Sequence, residues 1–96
     1  MVKLFAMVKL KEALTENLFA HLQSHMNSRD WKSYTTGSNG ITVRLPEGSY
    51  LAVFENDVNC LTIAEELKFE IEANVSTKGA TVLVVKANAW AIAARN

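Results

Sequence analysis

The feature that most restricts what this chain can fold into is a run of strict two-residue alternation from Leu67 to Val75. Leu67, Phe69, Ile71, Ala73 and Val75 are apolar, and Lys68, Glu70, Glu72 and Asn74 between them are polar. A strand turns successive side chains to opposite faces, so the pattern fits a half-buried β-strand. Ser76-Thr77-Lys78-Gly79 follows, a turn-sized set ending in glycine. Then comes Ala80-Thr81-Val82-Leu83-Val84-Val85, after which Ala87, Ala89, Ala91 and Ala93 occupy every second position. Together these predict a C-terminal hairpin with arms at 67–75 and 80–94.

A helix over about 62–75 competes with the first arm. Thr62-Ile63-Ala64-Glu65 has the form of a capping box, and Ile63, Ala64, Leu67, Ile71 and Val75 share one helical face. The strand is preferred because it also turns Phe69 and Ala73 inward, whereas the helix turns both out. For the end of the second arm, a short helix 89–94 capped by Asn88 is the competing expectation.

Upstream, Leu10, Leu14, Leu18, Leu22 and Met26 recur every four residues in a stretch rich in Ala, Leu, Lys, Glu and Gln and free of Gly and Pro. This predicts one long helix over about 4–28. Val2, Leu4, Ala6 and Val8 also alternate, so a short first strand is the other possibility. Three β segments follow. Trp31–Thr36 and Ile41–Leu45 are separated by Gly37-Ser38-Asn39-Gly40, and Pro46-Glu47-Gly48-Ser49 is a second turn. Tyr50–Phe54 is apolar on both faces, which predicts a central strand covered on each side.

The expected fold is therefore α+β: one long N-terminal helix on an antiparallel sheet of about five strands, a meander plus the C-terminal hairpin. With the second helix at about 62–75, the arrangement becomes ferredoxin-like β-α-β-β-α-β. Ninety-six residues make a single domain, 1–96, with 49% apolar and 21% charged side chains. Ten basic and ten acidic residues cancel, which lowers the expectation of phosphate-backbone binding. The single cysteine, Cys60, excludes an internal disulfide and fits a reducing compartment. With no secretory signal or long apolar span in view, a cytoplasmic, non-membrane protein is expected.

The residues that carry chemistry form no recognised constellation. His21 and His25 lie four apart, but no motif of zinc-ligand spacing completes them. Cys60 lacks a signature of a catalytic thiol, and the glycines fit neither phosphate-binding nor nucleophile-elbow spacing. Neither catalysis, cofactor nor metal is expected. Arg29, Trp31, Lys32 and Tyr34 mix basic and aromatic types, as protein-binding hot spots and single-strand stacking platforms do. Packing of Trp31 at a helix–sheet junction is the plain alternative. The alanine column, with Ala87, Ala89 and Ala91 on one face and Trp90 on the other, suggests a surface that something approaches closely. Ala87, Ala89, Trp90 and Ala91 thus join the basic and aromatic cluster as candidate partner-binding residues.

Gly48-Ser49-Tyr50-Leu51-Ala52-Val53-Phe54, taken with Lys3-Leu4-Phe5, resembles over a few residues the paired aromatic motifs of RNA-recognition domains. The basic residue and second glycine of the longer motif are missing, and the resemblance requires the N-terminus to be a strand. No family residues are carried over from it.

The function expected first is a non-enzymatic protein-interaction domain of adaptor, immunity or mobile-element-inhibitor type. It would act on a protein partner or by self-association. A single-stranded nucleic-acid binder using Arg29–Tyr34 comes second, and a small enzyme or metal protein third.

Overall fold

A computed structural model describes residues 1–36 and 40–87. The elements run β1 (Val2–Leu10), α1 (Glu16–Ser28), β2 (Tyr34–Thr36), β3 (Thr42–Arg44), β4 (Ser49–Phe54), α2 (Cys60–Asn74) and β5 (Ala80–Lys86). Three strands form the main sheet in the order β4-β1-β5, with β1 antiparallel to both neighbours, and β2 and β3 form a small separate hairpin. β4 and β5 are therefore parallel, joined by the α2 crossover, with β1 between them. Both helices pack on one face of the sheet. Leu4, Ala6, Val8 and Leu10 of β1 share a core with Leu22 and Met26 of α1 and Leu67 and Ile71 of α2.

The α+β class and the antiparallel sheet agree with expectation. The single long helix and the continuous five strands do not. The predicted helix over 4–28 is a strand, a connection and a shorter helix. In β1 every even-numbered side chain from Leu4 onward is buried, which a helix cannot do with that spacing. The helix begins only where Thr15 caps it, its hydroxyl accepting from the Leu18 N–H at 3.2 Å. Of the leucines spaced by four, Leu10 belongs to the strand and Leu14 is 40% exposed.

The segment at 67–75 is the second correction. It is helical, and the C-terminal hairpin does not form. Asn59 caps α2 through the Thr62 N–H, three residues before the expected box. Leu67 and Ile71 are buried, and Ile63, Ala64 and Val75 pack against the same core. Phe69 is left 74% exposed. The strand at 80–86 is real, but its partner is β1. Glu72 secures the junction, accepting from the Ala80 N–H at 3.0 Å and from Lys68 at 2.8 Å.

β4 starts from the expected turn. The Ser49 N–H donates to the Pro46 carbonyl at 2.9 Å, with Gly48 at φ +84°. Beside β4, the chain leaving α1 makes one two-way bridge, Lys32 with Leu51. It then departs into the β2–β3 hairpin, where Thr36 and Thr42 hydroxyls meet at 2.9 Å.

Candidate functional site on the open face of the sheet

With α1 and α2 on one side, no helix among the described residues lies over the other side of the main sheet. The register fixes which residues it presents. Phe5 of β1 sits between Leu51 on β4 and Val85 on β5, and Met7 sits between Ser49 and Leu83. Lys3 and Lys9 lie on the same face at the two ends of β1, opposite Val53 and Thr81 respectively. Antiparallel sheets with one covered face normally alternate apolar-in and polar-out. Here four outward positions are apolar and exposed: Met7 is 48% exposed, Val53 54%, Leu83 55% and Val85 42%, whereas Ser49 and Leu51 of β4 are buried. Phe5 is half-buried among them. Neither Lys3 nor Lys9 has an ion-pair partner among the described residues. Within the three strands this face carries no carboxylate.

The Arg29–Tyr34 cluster is dispersed by the fold. α1 ends with Asp30 in the left-handed region at φ 64°. The Trp31 N–H reaches back to the Met26 carbonyl and the Asp30 N–H to that of Asn27, both about one turn earlier. This closure drives Trp31 into the core, 3% exposed, edge-on to Phe54 at 6.1 Å between ring centroids. Arg29 stays on the helical side, its Nε donating to Glu70 at 2.9 Å. Lys32 is opposite Leu51, on the side of the open face. Tyr34 is exposed on the small hairpin, across from Arg44. The four residues therefore do not form one surface: Arg29 and Trp31 face the helical side, and Lys32 and Tyr34 lie elsewhere. Ala87 donates its N–H to the Lys3 carbonyl. Ala89, Trp90 and Ala91, with the rest of the alanine column and the alternative helix 89–94, lie outside the described residues.

The segment resembling an RNA-recognition motif is a strand, as the resemblance requires, but its aromatic rings are on the wrong side for base stacking. Tyr50 pairs with Ala6 and Phe54 with Val2, which places both on the helix-covered face. Tyr50 is fully buried, and burial, with Glu47 nearby, pushes its pKa up to about 12. Phe5 is the one aromatic ring on the open face among the described residues.

A second cluster lies between the helices. Arg29, Trp31, Phe54, Ile63, Glu66 and Glu70 line a cleft of about 180 Å³. His25, its side chain 8% exposed, places Nε2 3.6 Å from the Glu70 carboxylate. Burial lowers the His25 pKa; Glu70 acts against that shift, while Arg29 and His21 add to it. His21 is exposed on α1, and Cys60 is half-buried at the start of α2. Among the described residues, no group of three or more His, Cys, Asp or Glu is placed to hold a metal ion. No helix among them is long and apolar enough to cross a membrane.

The His25 environment has a measurable consequence. An unfolded histidine titrates near 6.5, and the native one titrates lower, so below that pH the unfolded chain binds more protons. Stability is undiminished above about 6.5 and falls as the pH drops toward the lower native value. Urea unfolding at pH 5 and pH 7 should show a smaller acid loss in His25→Gln than in the wild type. Equal losses would mean that His25 is not held neutral by the fold.

No family model, curated protein or solved structure matches this chain.

Proposed function

We propose that this chain is a small, non-enzymatic protein-interaction domain that works through the open face of its three-stranded sheet. The observation carrying this reading is the contiguous set Phe5, Met7, Val53, Leu83 and Val85 on a face that no helix among the described residues covers. Scattered exposed apolar residues need no explanation, but a clustered patch rimmed by charge marks a contact surface. In the same reading the fold is a ferredoxin-like β-α-β-β-α-β arrangement. Its edge strand is reduced to the Lys32–Leu51 bridge and the β2–β3 hairpin.

Met7→Asp tests the reading directly. Met7 is half exposed, so the variant should fold with a stability within about 0.5 kcal/mol of the wild type. A carboxylate buried unpaired in a contact costs about 3 kcal/mol or more, so association should weaken by roughly a hundredfold. Parallel affinity capture from the native cell, with sedimentation velocity for self-association, measures the difference. Partners retained equally by both proteins would sink the reading.

Single-stranded nucleic acid is the second reading. One observation favours it: Phe5 lies on the same strand face as Lys3 and Lys9. Stacking platforms generally use several rings, and the aliphatic character of the remaining positions favours protein.

A further inference from the structure

We infer that the occupant of the open sheet face is an amphipathic helix of a partner protein, with carboxylates flanking both ends of its apolar stripe. The inference rests on the interaction reading above and adds the partner's shape and charge to it. Shape comes from the register. Lys3 and Lys9 are six residues apart on β1, a span of about 20 Å at strand rise. The apolar residues with exposed surface, Val53 on β4, Phe5 and Met7 on β1, and Leu83 and Val85 on β5, lie across three strands, about 10 Å from first to last. Those are the dimensions of one α-helix, about 10–12 Å across and about 20 Å long over three to four turns.

A second copy of this chain fits less well. A stable pairing of two proteins buries about 800 Å² on each partner, several times a patch of this footprint. Two copies meeting here would also bring six lysines together, Lys3, Lys9 and Lys32 of each, with no carboxylate from the strand faces.

Charge follows from the same rows. The apolar centre, Phe5 with Val85 and Met7 with Leu83, is bracketed along β1 by Lys3 and Lys9, while Leu51 beside Phe5 is itself buried. Lys32 adds a third positive charge beside Leu51. Lys3, Lys9 and Lys32 have no salt bridge among the described residues. Carboxylates on the approaching helix would complement these charges, steer the encounter and set its register. A basic or neutral helix would leave them unpaired. The dimensions thus give the partner's shape, and the lysines give its charge.

Two synthetic helical peptides test this on the full chain. Both carry one leucine stripe of about four turns; one is flanked by glutamates and the other by lysines. Amide shifts in a proton–nitrogen correlation spectrum give the site and the affinity. The glutamate peptide should perturb amides at 3–9, 49–53 and 81–85. It should bind about tenfold or more tightly than the lysine peptide, the order that two or three exposed charge pairs supply. The preference should weaken with added salt and reverse in the double variant Lys3→Glu/Lys9→Glu.

Equal binding of both peptides at the face would overturn the acidic partner while leaving the interaction surface standing. So would a homodimer that Met7→Asp abolishes. No perturbation by either peptide, or perturbation confined to α1 and α2, would overturn the helix-docking inference; the Met7→Asp capture then decides the broader reading on its own. Tighter binding of a twelve-residue oligothymidine at the same amides would overturn both readings in favour of nucleic acid.

Discussion

Trp31→Ala should cost the domain about 3–5 kcal/mol, the range for removing a large aromatic side chain from a core. At about 4–8 °C per kcal/mol for a chain of this size, the melting temperature should fall by roughly 15–30 °C. The indole is 3% exposed, rests edge-on against Phe54, and belongs to the cluster that includes Leu22, Met26, Leu67 and Ile71. Its truncation opens a void between the helices and the sheet that rigid neighbours cannot close. Calorimetry on Trp31→Ala and Trp31→Phe separates this from a binding role. The phenylalanine variant should recover much of the loss. An alanine variant with an unchanged transition would show that Trp31 is a surface residue after all, and would return it to the candidate contact residues.

Gly48→Ala is expected to be nearly as damaging, by about 2–4 kcal/mol, for a reason that lies in the backbone. Gly48 sits at φ +84°, where an L-residue is strained. A β-carbon there would also stand 2.7 Å from the Val8 carbonyl oxygen. That carbonyl belongs to β1, the central strand, and the Val8 N–H is already bonded to the Gly48 oxygen at 2.8 Å. Neither side of the clash can give without disturbing the β1–β4 ladder. Gly40 is the internal control. Its φ is +81°, but nothing lies within 4 Å of the added carbon, so Gly40→Ala should cost only about 1 kcal/mol. Paired urea titrations should therefore rank Gly48→Ala well below Gly40→Ala in stability; equal losses would mean that backbone strain alone is at work.

The Pro46-Glu47-Gly48-Ser49 turn and the strands at 34–36, 42–44 and 49–54 are legible from sequence because their chemistry is local, whereas residues 37–39 of the Gly37–Gly40 turn lie outside the described residues. The two misassigned segments show where local pattern fails. Residues 67–75 satisfy both periods at once, and the choice turned on Phe69 and Ala73, which a strand would bury. Burial of every apolar residue is not a rule proteins obey, and Phe69 is in fact 74% exposed. At the N-terminus the alternation of Val2, Leu4, Ala6 and Val8 was present but blurred, because Phe5 and Met7 on the opposite face are apolar too. Those two residues form the centre of the open face. The signal that obscured the strand is thus the signal of the candidate site, as expected where function overrides pattern. The apolar character of Tyr50–Phe54 on both faces predicts a central strand covered on each side; β4 is instead at the edge of the three-stranded sheet, and β1 takes the centre. What no pattern supplied was the register. Only the pairing of Phe5 with Leu51 and Val85 gathers these residues onto one surface.

The position of β1 at the middle of the sheet also sets the order in which the protein can form. Of the three strands of the sheet, the one that comes first along the chain is the one that needs both others. Its partners in β4 lie more than forty residues further along, and those in β5 seventy or more. No hairpin within the main sheet can zip up locally, so the loop-closure entropy of long segments has to be overcome before any pairing rewards it. The helices, by contrast, make their backbone bonds and their Thr15 and Asn59 caps within local sequence. Folding should therefore be slow for a chain this short and should complete only after β5 has left the ribosome. Until then β1 presents to its surroundings two unpaired edges and an apolar outward face, the same face proposed to receive a partner's helix.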